Sequence, residues 1–164
     1  MPRQRPSNQT PKVAHTGLEA ARATAVAHLA RRDFASGELR HKLGVQGFDE
    51  VTVAVLIADL TREGLLDDAR YANNYVASRA GRGQGPVRIG AELRRSGLAD
   101  ALIEAALAGA ADWRALALKV RRAKYGPEPP VNWKQKARQA RFLQYRGFSS
   151  DDIRAATGAD SDQD

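Results

Sequence analysis

The chain has 164 residues, 43% hydrophobic and 27% charged, a composition that supports a packed core and excludes a wholly disordered chain. It contains no cysteine, which excludes disulfides, thiol chemistry and cysteine-built zinc sites and suits a reducing cytoplasm. Its 26 lysines and arginines outnumber 19 aspartates and glutamates, for a formal charge of +7 that fits a nucleic-acid or acidic protein partner.

Residues 1–16 hold three prolines, three basic side chains and no apolar run, and are expected to form a disordered basic tail rather than a leader. The longest apolar run, Val53 to Ala58, is far short of the roughly 20 residues that cross a bilayer. Beyond the tail, the spacing predicts helices near 18–32, 37–45, 50–63, 68–80, 86–96, 100–109, 112–125, 133–146 and 150–157. The segment Val51 to Ile57 is rich in β-branched residues and resembles a strand, but its repeat partners read as helix and it is assigned with them.

Those helices fall into three copies of one unit. Leu43-Gly47-Phe48, Leu93-Gly97-Leu98 and Leu143-Gly147-Phe148 share one pattern, with the glycines 50 residues apart. Upstream, Ala25-His28-Arg32, Ala72-Tyr75-Arg79 and Ala115-Leu118-Arg122 share a second, at a spacing that lines one helical face. Each glycine sits where a helix end favours a left-handed residue, and Asp49, Asp100 and Ser149 are expected to cap the helix that follows. The resulting expectation is an all-α, elongated array of three tandem three-helix repeats: tail 1–16, repeats 17–64, 65–110 and 111–157, and an acidic tail 158–164. No long apolar seam calls for an obligate dimer, so a monomer is expected.

Little supports catalysis. His15, His28 and His41 lack metal-ligand spacing, and His28 occupies a packing position filled by Tyr75 and Leu118 in the other copies. Acidic pairs such as Asp67-Asp68 and Asp151-Asp152 fall at helix starts, where the dipole already favours them. The loop Gly81-Arg82-Gly83-Gln84-Gly85 lacks the Gly-Lys-Ser/Thr ending of a nucleotide-phosphate loop and reads as a connector. A single backbone phosphate at the following helix start, helped by Arg82 and Arg88, is its sharper alternative. No catalytic residue, cofactor or metal is expected.

Basic charge is concentrated. Residues 113–146 carry ten basic side chains and one acid, and residues 70–95 carry six and one. Lys134, Arg138 and Arg141 share a helical face, joined by Lys136 and Arg146, while Phe142 and Tyr145 are assigned to the core. Such a face resembles a phosphate-contacting surface more than a base reader, although a solvated helix face or an acidic protein groove would account for the same charges. The proposed surface comprises Arg70, Arg79, Arg82, Arg88, Arg94, Arg95, Arg122, Lys134, Lys136, Arg138, Arg141 and Arg146.

The stretch Gly64-Leu65-Leu66-Asp67-Asp68-Ala69-Arg70-Tyr71-Ala72 resembles the signature of the RecX family, bacterial modulators of the recombinase RecA. The similarity continues through Arg79, Gly85-Pro86-Val87-Arg88-Ile89, Glu92-Leu93 and Gly97-Leu98 to Arg141-Phe142-Leu143-Gln144-Tyr145-Arg146-Gly147-Phe148, and begins at Ser36 with Glu38-Leu39. It spans roughly residues 18–157. Gly37 departs from the family's usual residue and should loosen the start of its helix; the proline-rich loop Gly126 to Trp133 has no family counterpart. The resemblance implies a non-enzymatic, cytoplasmic negative modulator. It would bind the groove of the RecA–single-stranded-DNA filament and lower filament extension, ATP hydrolysis, strand exchange and co-protease activity, contacting single-stranded DNA weakly when alone. A stand-alone helix-turn-helix DNA-binding regulator is the alternative, although the basic residues are not focused on one recognition helix.

Overall fold

The computed structural model describes residues 10–158, with side chains from residue 17 onward. Among them are nine α-helices and no strand: α1 (Thr10–Leu29), α2 (Ser36–Val45), α3 (Glu50–Arg62), α4 (Asp68–Gly81), α5 (Pro86–Arg95), α6 (Asp100–Ala110), α7 (Trp113–Tyr125), α8 (Trp133–Tyr145) and α9 (Ser150–Thr157). Helices α2 to α9 begin and end within one residue of the predicted bounds. The exception is α1, which starts at Thr10 inside the stretch expected to be a tail. Pro11 stands in its first turn, where a missing N–H costs nothing. The helix also stops early, because the chain folds into a turn in which the His28 carbonyl accepts the N–H groups of Arg31 and Arg32. Of the expected tails 1–16 and 158–164, residues 1–9 and 159–164 lie outside the described residues.

The helices sort into two compact units that divide between Asp68 and Ala69. In the first, α3 carries Val53, Leu56, Ile57 and Leu60 on one stripe, all buried against Ala21, Ala25, Leu39 and Leu43. Burial of each such aliphatic side chain stabilises by about 1.5–3 kcal/mol, more than the small β preference of its branched residues. That resolves the strand-like segment as helix. Helix α2 starts without a side-chain cap of its own, since Ala35 holds the cap position. Asp68, 32 residues away, supplies one: its carboxylate accepts from the Ser36 N–H at 2.7 Å and the Ser36 hydroxyl at 2.6 Å. The helix start expected to be loosened by Gly37 is thus held from outside. Asp68→Ala should lower stability by about 1–2 kcal/mol, the usual cost of losing a cap, read from denaturant midpoints.

In the second unit, Ala72 and Val76 of α4, Ile89 and Leu93 of α5, Ile103 of α6, Ala117 of α7 and Leu143 of α8 are buried. Helix α7 packs on α8 and α9, and α5 on α6. The repeat glycines Gly47, Gly97 and Gly147 all have positive φ, as predicted. Asp49 and Ser149 cap α3 and α9, Ser149 within a capping box completed by Asp152. Asp100 does not cap α6: Ala99 holds that position, and the Asp100 carboxylate turns back 2.9 Å to Arg94 Nε. The third copy also runs in a different register from the one expected. Ala115 is exposed and Ala117 is the buried alanine, which brings Arg121 onto the core face.

Candidate nucleic-acid interface

Helix α8 contains no acidic residue. Asn132 accepts the Gln135 N–H to start it, and the helical repeat then aligns Lys134, Arg138 and Arg141, all exposed. Tyr145 continues this row at the i+4 position from Arg141 and is 77% exposed, correcting its assignment to the core. Phe142, flanking the row, packs partly buried against the cluster of Ala117, Leu143 and Phe148 as expected. At the helix start Trp133 is 74% exposed, with Lys134 Nζ 5.9 Å from its ring. The Arg138 guanidinium lies 5.9 Å from the Tyr125 ring, and Arg141 Nε donates to the Ala137 carbonyl at 3.4 Å. Three cations thus form one exposed row that ends at Tyr145, with the Trp133 and Tyr125 rings near Lys134 and Arg138. Lys136, two residues on from Lys134, falls on the far side of the helix from that row and is half-buried.

Other predicted residues are used differently. Arg146 turns inward, its Nε donating to the Gly83 carbonyl at 3.2 Å and its Nη2 to the Arg82 carbonyl at 2.6 Å. It clamps the glycine-rich loop onto the end of α8. That loop is no free connector, nor is the α5 start a phosphate site. The Gly85 N–H donates to the Arg146 carbonyl at 2.8 Å, and those of Val87 and Arg88 donate to the Gly147 carbonyl at 2.9 and 3.4 Å. The helix-opening donors a phosphate would need are already taken.

Arg79 and Arg88 converge on Glu92, at 3.7 and 3.2 Å, where Tyr75 also donates its hydroxyl at 2.6 Å. Burial alone would raise the Glu92 carboxyl, but bonds from Tyr75 and Arg88 and the charges of Arg79 and Arg88 outweigh it, leaving it below the ordinary glutamate value. Burial, then the bond to Glu92, push the Tyr75 phenol up. This cluster ties α4 to α5, and Arg94 is paired with Asp100. Arg70, Arg82, Arg95 and Arg122 are exposed.

Three residues were missed. Tyr145 was within reach of sequence reasoning, since its spacing continues the α8 stripe. Lys119 and Lys124 of α7, counted as charge but not selected, line a cleft with Arg82 and Arg146. His28 packs beside Phe34, with its Nε2 3.4 Å from Gln46 Oε1. Among the described residues no group of three or more metal-ligating side chains stands together, and no helix is long and apolar enough to cross a membrane.

The family models of the second and third three-helix domains of RecX match residues 67–107 and 112–157. The regulatory protein RecX of Halorhodospira halophila is 45% identical over 147 residues, 89% of this chain and 91% of that protein. That of Stenotrophomonas maltophilia is 36% identical over 161 residues, 98% and 93% of the two. The crystal structure of RecX from Lactobacillus salivarius, 20% identical, shares the fold with a TM-score of 0.77 over 88% of this chain and 97% of that one.

Proposed function

The chain belongs to the RecX family, and from that membership we propose that it is a negative modulator of the RecA recombinase. It binds the groove of the RecA–single-stranded-DNA filament and inhibits filament extension, with loss of ATP hydrolysis, strand exchange and co-protease activity. It does so in the cytoplasm, as a monomer, by binding alone, without catalysis or cofactor. The observation that carries the nucleic-acid side of this reading is the α8 stripe. Lys134, Arg138 and Arg141 run along one exposed face into Tyr145, with no acid on the helix. Cations meet phosphates without regard to sequence, and exposed aromatic faces accept unstacked bases, which single strands offer and duplexes do not. Arg82, Arg95 and Arg122 extend the basic surface beyond α8. Arg79 and Arg88 are spent on Glu92 and contribute less than their number suggests.

The test is RecA's ATP hydrolysis on single-stranded DNA, titrated with this protein. Wild type should inhibit at a small fraction of the RecA concentration, as blocked extension requires. The triple variant K134A/R138A/R141A should need more protein, and its affinity should depend less on salt, the logarithmic slope falling by about 2 if each cation neutralises one single-strand phosphate. Absence of inhibition at equal concentration, together with sequence-specific protection of duplex DNA, would hand the case to a stand-alone DNA-binding regulator.

A further inference from the structure

Within the second unit, a cleft of about 500 Å³ opens between the glycine-rich loop, α7 and α8. Its rim carries Arg82, Lys119, Lys124 and Arg146, and no acidic side chain lines it. Its floor is apolar, built by Leu116, Val120 and Phe142, with Ala123 at its exposed edge. Glycine is required where the loop closes over it. At Gly83, with φ +75°, a Cβ would stand 2.9 Å from Val120 Cγ2 and 2.8 Å from Arg146 Nη2. Arg146 holds the loop in place through the carbonyls of Arg82 and Gly83. Lys124 Nζ sits 4.4 Å above the Phe142 ring. The cleft therefore combines a fixed loop, an apolar floor with one aromatic ring, and a basic rim.

We propose that this cleft takes a single unstacked nucleotide of a single-stranded nucleic acid, the base against Phe142 and Val120 and the flanking phosphates against Arg82, Lys119 and Lys124. An apolar floor alone selects no ligand, and a basic rim alone would hold any anion. Together they fit a group with a flat apolar face and a negative charge a few ångströms away, which is a nucleotide. A base paired in a duplex cannot enter, so the cleft discriminates strand state rather than sequence. This inference rests on the filament-binding reading and adds to the α8 stripe a second nucleic-acid contact, one that encloses a single base between loop and helices.

The test compares a labelled 15-mer of thymidylate with a 15-mer of abasic sites, which keeps the phosphates and lacks the bases. Ala123→Glu is the variant. Ala123 is exposed at the cleft edge, and glutamate fits a helix while placing a carboxylate between Lys119 and Lys124. Fluorescence anisotropy should show wild type binding thymidylate about tenfold tighter than the abasic strand, as expected for stacking of one base. Ala123→Glu should reduce that preference severalfold, leaving what the exposed Tyr145 contributes, while keeping its helical signal. The triple variant of α8 should keep the preference while its logarithmic salt slope falls by about 2. Equal binding of both strands by wild type, or an unchanged preference in Ala123→Glu, overturns the cleft. If wild type still inhibits RecA's ATP hydrolysis in that case, the filament reading stands; if inhibition is absent as well, both fall.

Discussion

Gly147→Ala should cost about 3–4 kcal/mol and lower the thermal midpoint by roughly 10 °C, combining left-handed backbone strain with overpacking. The residue has φ +92°, and a Cβ there would stand 2.2 Å from Arg88 Cβ and 2.9 Å from Arg88 N. Nothing at the far end of a flexible side chain can move aside, because the obstacle is the first turn of α5 itself. The same carbonyl accepts the Val87 and Arg88 N–H groups, so pushing α5 away also uncaps it. Gly126 is the control within the same unit: its φ is +91°, but no atom lies within 4 Å of its virtual Cβ. Gly126→Ala should suffer backbone strain alone, about 2 kcal/mol for its φ of 91° and ψ of 175°. Thermal unfolding followed by far-UV circular dichroism separates the two, and equal losses would show that the close approach of α5 contributes nothing. A complementary steric test is Gly85, whose φ is ordinary but whose virtual Cβ meets the Gly147 carbonyl oxygen at 2.3 Å.

In sequence Gly147 looks like Gly47 and Gly97, and its positive φ could be read from the repeat. Its contact with Arg88 could not, because that contact joins residues 59 positions apart and depends on how one repeat meets the next. The same limit explains the other misreadings. The helices were legible because each carries its own apolar stripe and turn glycine, as α3 does with Val53, Leu56, Ile57 and Leu60. The partner of Ser36 was not, since Asp68 reads equally well as a residue starting its own helix. Arg146 was counted as part of a basic face, yet it is committed to the carbonyls of Arg82 and Gly83. Charge counts show how many cations a segment holds and not which are spent on the fold. Of the twelve residues selected, Arg79, Arg88 and Arg94 bind carboxylates and Arg146 binds backbone. Lys134, Arg138 and Arg141 stand as the helical spacing predicted. The third-copy register failed because its core face contains a charged residue, which a search for apolar spacing passes over.

That residue, Arg121, is 1% exposed, and its replacement separates packing from anchoring. It occupies the face that α4 fills with Val76, and its guanidinium donates to the carbonyls of Glu128 at 2.9 Å and Pro127 at 3.3 Å and to Gln139 Oε1 at 3.3 Å. No carboxylate bonds it among the described residues, and burial, with the nearby charge of Arg122, pulls it below the ordinary arginine value. The charge thus stays buried on carbonyl oxygens alone, which tie the proline-rich loop to α7. Arg121→Ala leaves a cavity and an orphaned buried Gln139, and should cost about 3 kcal/mol. Arg121→Met orphans Gln139 as well, but it fills most of the volume and removes the desolvated charge, so its loss should be about 1 kcal/mol. Both variants free the loop equally, because neither can reach the carbonyls of Pro127 and Glu128. Hydrogen exchange at Glu128 and Val131, and proteolysis within 126–132, should therefore rise alike in the two while their thermal midpoints differ. A methionine variant whose loop remains protected would show that the prolines, not the guanidinium, hold this segment in place.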